Sequence, residues 1–317
     1  MIYIISLILP LFSIIFVGFI LGKILRHSEQ GLQWMNIFVV YVALPALLLK
    51  IIAKTPFEQL ANWPFIFATS LGTVLAFILS YFLGMLLNRK EREVAPIQGI
   101  AGAYSNIGYM GPALTLSVLG PQATIPTALI FCFDNIIHFT MVPFTHALTK
   151  RKATQYLKVA LKAIKDIMTH PFIIASIVGV LIAYSEVKMP IWIETMISYL
   201  SNAAAPSALF VMGVTIAVRP MKRLTADIPV LIFIKLILHP LLTYICLRLL
   251  DPFEPVWVYT ALIMASLPPA LNVFILAKQC NLYVERAFSI ILIGTVLSIF
   301  TLSGLIYLIS SALIPLG

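Results

Sequence analysis

Two long apolar stretches of this 317-residue chain are broken by helix-disrupting residues at matching places. Ser105-Asn106-Ile107-Gly108 with Gly111-Pro112 interrupts one, and Leu267-Pro268-Pro269 with Asn272 interrupts the other. Inside a bilayer every backbone N–H and C=O must find a partner, so irregular backbone persists at membrane depth only where protein or a polar cavity surrounds it. Interrupted segments at corresponding places in two halves of a chain point to the binding site of a transporter.

The spacing ties the two halves together. The mid-segment proline of Leu44-Pro45-Ala46 recurs as Ala205-Pro206-Ser207, which is 206 − 45 = 161 positions later, and the breaks recur with 268 − 106 = 162. Two independent landmarks sharing one offset imply an internal duplication.

Composition places this duplication in a membrane. The chain is 61% hydrophobic and 10% charged, with a mean hydropathy of +1.03, whereas soluble domains are roughly one quarter charged. Ten apolar runs approach the roughly 20 residues that a transmembrane helix needs: 2–24, 31–53, 63–87, 94–119, 123–148, 170–186, 191–218, 229–250, 255–280 and 285–312. Shifting the first five by the repeat offset lands them on the last five. Five spans per half is an odd number, so the second half enters the membrane inverted. The expected fold is an all-α membrane protein of ten transmembrane helices, a 5+5 inverted repeat in which helices 4 and 9 are the broken crossovers.

The domain reading is an N-terminal repeat over 1–148, a linker over 149–169 and a C-terminal repeat over 170–317. In the linker Lys158, Lys162 and Lys165 share one helical face opposite Leu157, Leu161, Ile164 and Met168. That pattern predicts an amphipathic helix lying on the inner membrane surface.

Charge sets the orientation. With the N-terminus outside, sixteen of the 21 Lys and Arg residues flank the inner ends of the runs, and four, Lys50, Lys54, Lys188 and Arg248, flank the outer ends. This positive-inside bias puts both termini on the extracellular or periplasmic side of the cell membrane. The net charge of +9 is therefore topology and gives no reason to expect nucleic acid or an acidic partner. The first run has neither a basic residue ahead of it nor a small-residue cleavage site after it, so it reads as a retained span and not a signal peptide.

Several function classes find no support. Cys132, Cys246 and Cys280 have no metal or redox spacing. No GxxxxGK[ST], HExxH or GxSxG pattern occurs, so no catalytic residue, cofactor or metal is expected and the chain does not read as an enzyme.

The breaks themselves supply the chemistry of a site. Helix 4 enters from the inside near Val94 and helix 9 from the outside near Val256, and each reaches its break after about 12 residues, roughly 18 Å at 1.5 Å per residue. Both breaks fall near the midplane and run in opposite directions. Each exposes half-helix N-termini suited to a carboxylate and free carbonyls suited to a cation or a polar substrate. The substrate-binding candidates are Asn106, Gly108, Tyr109, Pro268, Pro269 and Asn272; the plainer role for Asn106 and Asn272 is to cap broken backbone.

The stretches from Ser105 to Pro112 and from Leu267 through Asn272 to Lys278 resemble the two crossover segments of the auxin efflux carrier family. The resemblance extends over essentially the whole chain. It implies a secondary transporter of a small organic anion such as malate, malonate or an auxin-like acid, in a fold similar to bile acid symporters and sodium/proton antiporters. It further implies a scaffold of helices 1, 2, 6 and 7, through which a homodimer would form, and a mobile domain of helices 3, 4, 5, 8, 9 and 10. The family commonly has Pro where this chain has Ser105, so the first break is expected to be the gentler one, resting on Gly108, Gly111 and Pro112.

Intramembrane charges cost several kcal/mol unless paired or hydrated. Asp134 beside Asn135 in helix 5, and Lys235 in helix 8 nearer the inner face, occupy helices that resemble those carrying an Asp and a Lys in sodium/proton antiporters. These are the ion-coupling candidates, with H+ or Na+ as the ion. The competing reading is a static ion pair of Asp134 with Lys235 or His138. His138 and His239 read as packing or hydrogen-bonding groups, Glu194 as a solvated rim, Lys50 as a snorkelling cation, and Pro45 and Pro206 as kinks. The expected function is a secondary carrier of an organic anion, with a cation/proton antiporter lacking organic substrate as the alternative.

Overall fold

The computed structural model describes residues 2–25, 29–89, 91–149, 165, 168–169, 171–185, 187–218, 225–250, 252–311 and 313–314. The predicted linker helix lies almost wholly outside the described residues.

In chain order the helices are α1 (Ile2–Leu25), α2 (Glu29–Phe38), α3 (Leu44–Ala53), α4 (Phe57–Leu60), α5 (Trp63–Leu87), α6 (Ala95–Ala103), α7 (Gly111–Leu119), α8 (Thr124–Thr149), α9 (Pro171–Ser185), α10 (Ile191–Val218), α11 (Asp227–Phe233), α12 (His239–Leu250), α13 (Pro255–Ser266), α14 (Leu271–Cys280) and α15 (Val284–Ser310). A π-turn at Val39–Ala43 joins α2 to α3, directly ahead of Pro45, and another at Ile234–Leu238 joins α11 to α12. The described residues contain no β-strand, only an isolated bridge.

Five helical stretches are long and apolar enough to cross a membrane by length and composition: Gly31–Ala53, Trp63–Leu87, Ile191–Val218, Asp227–Leu250 and Val284–Ser310. Other apolar helices are shorter, among them α13 and α14. For α13 and α14 the shortness is the break itself, since Pro268 and Pro269 have no N–H to continue the ladder and force the preceding residue out of the α region. Leu267 accordingly sits at ψ 150°.

The chain folds into two compact units, each drawing on both sequence halves. The first comprises 1–62, 108–132 and 168–220. Its long helices α1 and α10 cross at glycines. A Cβ on Gly18 would lie 2.3 Å from the carbonyl oxygen of Phe210, and one on Gly213 would lie 2.0 Å from that of Ile15. Lipid supplies no hydrophobic drive between helices, so such close backbone packing is what holds them. At one edge Lys54 pairs with Glu194 at 2.5 Å, both side chains about half exposed, and Lys50 donates to Ser198 Oγ at 3.0 Å. The rim reading of Glu194 agrees with this exposure; Lys50 spends its charge on a hydroxyl of α10.

The second unit comprises 63–107, 133–167 and 221–317. Here α5 packs on α6 through small residues of both helices, Gly84 against Gln98, Gly99 against Phe77 and Gly102 against Ser80. Gly72 of α5 gives way to Thr243 of α12. The partition differs from the expected scaffold and mobile domain in one respect. The segment 108–132, which holds α7 and the first turns of α8, belongs with the first unit. Its side chains account for this: Phe131 packs on Phe172 of α9, with ring centroids 5.3 Å apart, and Gly108 leaves room for Phe131 and Leu44.

Candidate functional site: an antiparallel crossover with a buried polar cluster

In the second unit the two broken segments meet. Ser105 and Pro269 form an antiparallel bridge in which Asn106 N–H donates to the Pro268 carbonyl at 2.8 Å and Ala270 N–H donates to the Tyr104 carbonyl at 2.9 Å. Each break thus satisfies backbone groups of the other, which answers the bilayer's demand without water. The first break is not the gentler one. It runs from Tyr104 to Met110, against Leu267–Ala270 for the second, because α7 restarts only at Gly111-Pro112, where a first-turn proline needs no N–H partner.

Tyr104 is the hub of the side-chain layer. It is 1% exposed, its hydroxyl donates to Asn135 Oδ1 at 2.6 Å and accepts from Asn272 Nδ2 at 2.8 Å, and its ring lies on the imidazole of His138. One tyrosine therefore connects the break of helix 4, the N-terminal turn of α14 and the middle of α8. Gly294 of α15 opens the space for the Pro269 ring, since a Cβ there would lie 2.7 Å from Pro269 Cδ.

A second chain of polar groups runs beside the first. Lys235 is fully buried, donates to the Ala265 carbonyl at 2.5 Å and lies 3.1 Å from His239 Nδ1. Ala265 is in the last turn of α13, so the ammonium sits at the negative end of a half-helix. Ser105 Oγ reaches the same carbonyl at 3.4 Å. His239 Nε2 lies 3.3 Å from Thr73 Oγ1, and Thr73 reaches both Asp134 oxygens at 3.1 and 3.2 Å. Asp134 and Lys235 thus communicate through two intervening side chains, and no direct ion pair between them forms.

Seven of the nine site candidates, Asn106, Asp134, Asn135, Lys235, Pro268, Pro269 and Asn272, lie in this unit. Gly108 and Tyr109 belong to the other, where the Tyr109 hydroxyl is buried without a hydrogen-bond partner. Tyr104 and Thr73 were not singled out from the sequence, whereas His239 is the hydrogen-bonding group that one of its two sequence readings described. Tyr104 could have been found as the aromatic next to the Ser-Asn break; an isolated Thr in an apolar helix gives no signal.

Farther along the same unit, Asp227 Oδ2 accepts from Asn88 Nδ2 at 3.0 Å, from Gln98 Nε2 at 2.8 Å and from the Tyr283 hydroxyl, with Arg286 Nη1 at 3.9 Å. Burial, and then Asp227 itself, hold the Tyr283 phenol well above its ordinary range, so it stays a donor. Tyr283 takes a left-handed backbone, φ 59°, to start α15 here. The cluster fastens α5, α6, α11 and α15 to one carboxylate.

A family model described as membrane transport protein matches residues 3–306. The chain belongs to this family. It is the auxin efflux carrier grouping that the crossover segments resemble. Among its relatives, a Rhizobium meliloti protein named "Putative malonate transporter" is 45% identical over 98% of this chain and 97% of its own length. The "Uncharacterized transporter YfdV" of Escherichia coli K12 is 25% identical over 87% of this chain and 88% of its own. The lysosomal cholesterol signaling protein of Mus musculus is 26% identical over 94% of this chain, which covers 36% of that longer protein. The protein is a multi-pass membrane transporter rather than an enzyme.

Proposed function

We propose that this membrane transport protein is a secondary carrier that moves a small dicarboxylate of the malonate class across the cell membrane by alternating access. In this reading ten spans form two inverted five-helix repeats with both termini outside, and the second compact unit is the substrate-carrying body. The observation that carries it is the antiparallel pairing of Tyr104–Asn106 with Pro268–Ala270, with Asn272 and Asn135 joined through the Tyr104 hydroxyl.

The chemistry follows from the parts. The α14 N-terminus and the amide of Asn272 offer N–H donors and partial positive charge to a carboxylate. His138 gives Nδ1–H to the Asp134 carbonyl at 2.6 Å, which leaves Nε2 as a buried acceptor with no side-chain partner. The choice of a dicarboxylate is supported by the name of the relative at 45% identity, "Putative malonate transporter". Asp134 is the coupling group, with H+ or Na+ as the coupling ion.

A thermal-shift screen of purified protein against malonate, malate, other dicarboxylates and indole acids, at several pH and Na+ values, tests this. Malonate should stabilise the wild type and lose that effect in Asn272→Ala. Stabilisation by Na+ or Li+ alone, with none by any acid, would replace the carrier reading with a cation/proton antiporter.

A further inference from the structure

The buried groups between Asp134 and Lys235 form a continuous line. Lys235 Nζ is 3.1 Å from His239 Nδ1, His239 Nε2 is 3.3 Å from Thr73 Oγ1, and Thr73 Oγ1 is 3.1 Å from Asp134 Oδ1. All four residues are at most 3% exposed. They come from three places: Thr73 from α5, Asp134 from α8, and Lys235 and His239 from the π-turn and the first residue of α12 that follows it.

With His239 neutral and the total charge fixed at zero, donor counting allows two arrangements. A hydroxyl has one proton to give, and a neutral imidazole donates from one nitrogen and accepts at the other. With Lys235 charged, Nζ–H donates to His239 Nδ1, His239 Nε2–H donates to Thr73, and Thr73 O–H donates to the Asp134 carboxylate. In the other arrangement every proton has moved one place. The Asp134 acid donates to Thr73, Thr73 donates to His239 Nε2, His239 Nδ1–H faces a neutral Lys235 amine, and the total charge is unchanged.

We infer that Thr73 and His239 are a proton relay joining Lys235 to Asp134, so that the two share one proton and exchange it during transport. The relay rests on the coupling role given to Asp134 above. It assigns functions to Thr73 and His239 that a static pair would not need.

The surroundings keep the relay insulated. Among the described side chains of the Asp134 helix, the titratable group beside the cluster is His138, whose Nδ1 is committed to the Asp134 backbone carbonyl. Tyr104, stacked on His138, gives its proton to Asn135. Lys235 also donates to the Ala265 carbonyl of α13, which anchors one end of the line beside the helix 9 break. The other buried acid among the described residues, Asp227, is bound to Asn88, Gln98 and Tyr283. A proton arriving at Lys235 therefore reaches Asp134 through His239 and Thr73, and the carbonyl beside the substrate break registers whether Lys235 is charged.

Two measurements on the whole protein test this. In proteoliposomes, radiolabelled malonate is followed as accumulation under an acid-outside pH gradient and as counterflow at equal pH. Thr73→Val should lower gradient-driven accumulation at least about tenfold while counterflow persists, and Thr73→Ser should restore it. Full accumulation in Thr73→Val with loss in Asp134→Asn would overturn the relay and leave the coupling carboxylate standing. A wild type indifferent to the gradient would remove both.

The second measurement needs no substrate. Nitrogen NMR of histidine-labelled protein should show His239 passing between the Nε2–H and Nδ1–H tautomers at a fixed pH at which Lys235 and Asp134 together hold one exchangeable proton, with His138 fixed as Nδ1–H. Thr73→Val should abolish that passage. An identical His239 response in wild type and Thr73→Val contradicts the relay.

Discussion

Tyr104 lies flat against His138, with ring centroids 4.0 Å apart and planes 12° from parallel. The stack holds the tyrosine ring on α8 while its hydroxyl serves the two asparagines. Ring and hydroxyl can therefore be separated by mutation.

Tyr104→Phe should keep the stack and lose the Asn135 and Asn272 bonds. Removing one partner from buried polar groups costs about 1–3 kcal/mol. We expect malonate affinity to fall about tenfold, with a small drop in melting temperature, read by ligand titration in a thermal-shift assay. Unchanged affinity would show that the hydroxyl does not organise the site.

Gly294 and Gly304 lie on the same helix and make a matched pair. A Cβ on Gly294 would press on Pro269 at 2.7 Å, whereas one on Gly304 would meet nothing within 4 Å. Overpacking against a rigid proline ring costs about 1–3 kcal/mol. Gly294→Ala should slow malonate uptake strongly and Gly304→Ala leave it unaltered, as measured by initial rates in proteoliposomes.

Asp227 gathers four side chains, those of Asn88, Gln98, Tyr283 and Arg286. Asp227→Ala removes an acceptor from charge-assisted bonds worth about 1.5–3 kcal/mol, so heat-induced unfolding in detergent should begin several degrees lower. Glu91, which pairs with Arg286 from a half-exposed position, should tolerate Glu91→Gln with a loss of about 1 kcal/mol or less. Equal effects from the two substitutions would argue against the cluster as the fastening of this unit.

In the first unit the α1–α10 crossing predicts a steep size dependence. The Gly213 Cβ position is occupied by the backbone oxygen of Ile15, 2.0 Å away, which no rotamer change can move aside. Gly213→Ala should already reduce folded yield in the membrane, and Gly213→Leu should abolish it, as judged by size-exclusion chromatography.

The breaks were legible in the sequence because two successive prolines, Pro268 and Pro269, remove two N–H donors and push the residue before each out of the α region, whereas the single Pro10 and Pro206 are carried inside continuous helices. Their crossing agrees with the expectation drawn from the matching offsets of the two breaks. The polar layer was harder to read. Asn272 and Asn135 stood out as amides in apolar runs, but the residue joining them, Tyr104, looks like any apolar aromatic until its hydroxyl is placed. Lys235 and Asp134 drew attention by charge alone. The sequence placed them at different levels, and it could not foresee the bridge of Thr73 and His239 that joins them. Arg286 served the orientation argument as one more basic residue, yet its guanidinium works in the Asp227 cluster.

The central claim is that the paired breaks hold a dicarboxylate and hand it across the membrane. It is tested most directly by radiolabelled malonate uptake into proteoliposomes preloaded with unlabelled malonate. A saturable flux, accelerated by internal malonate and abolished in Asn272→Ala, is the predicted result. Uptake that rises linearly with concentration, ignores internal malonate and survives Asn272→Ala would contradict the account.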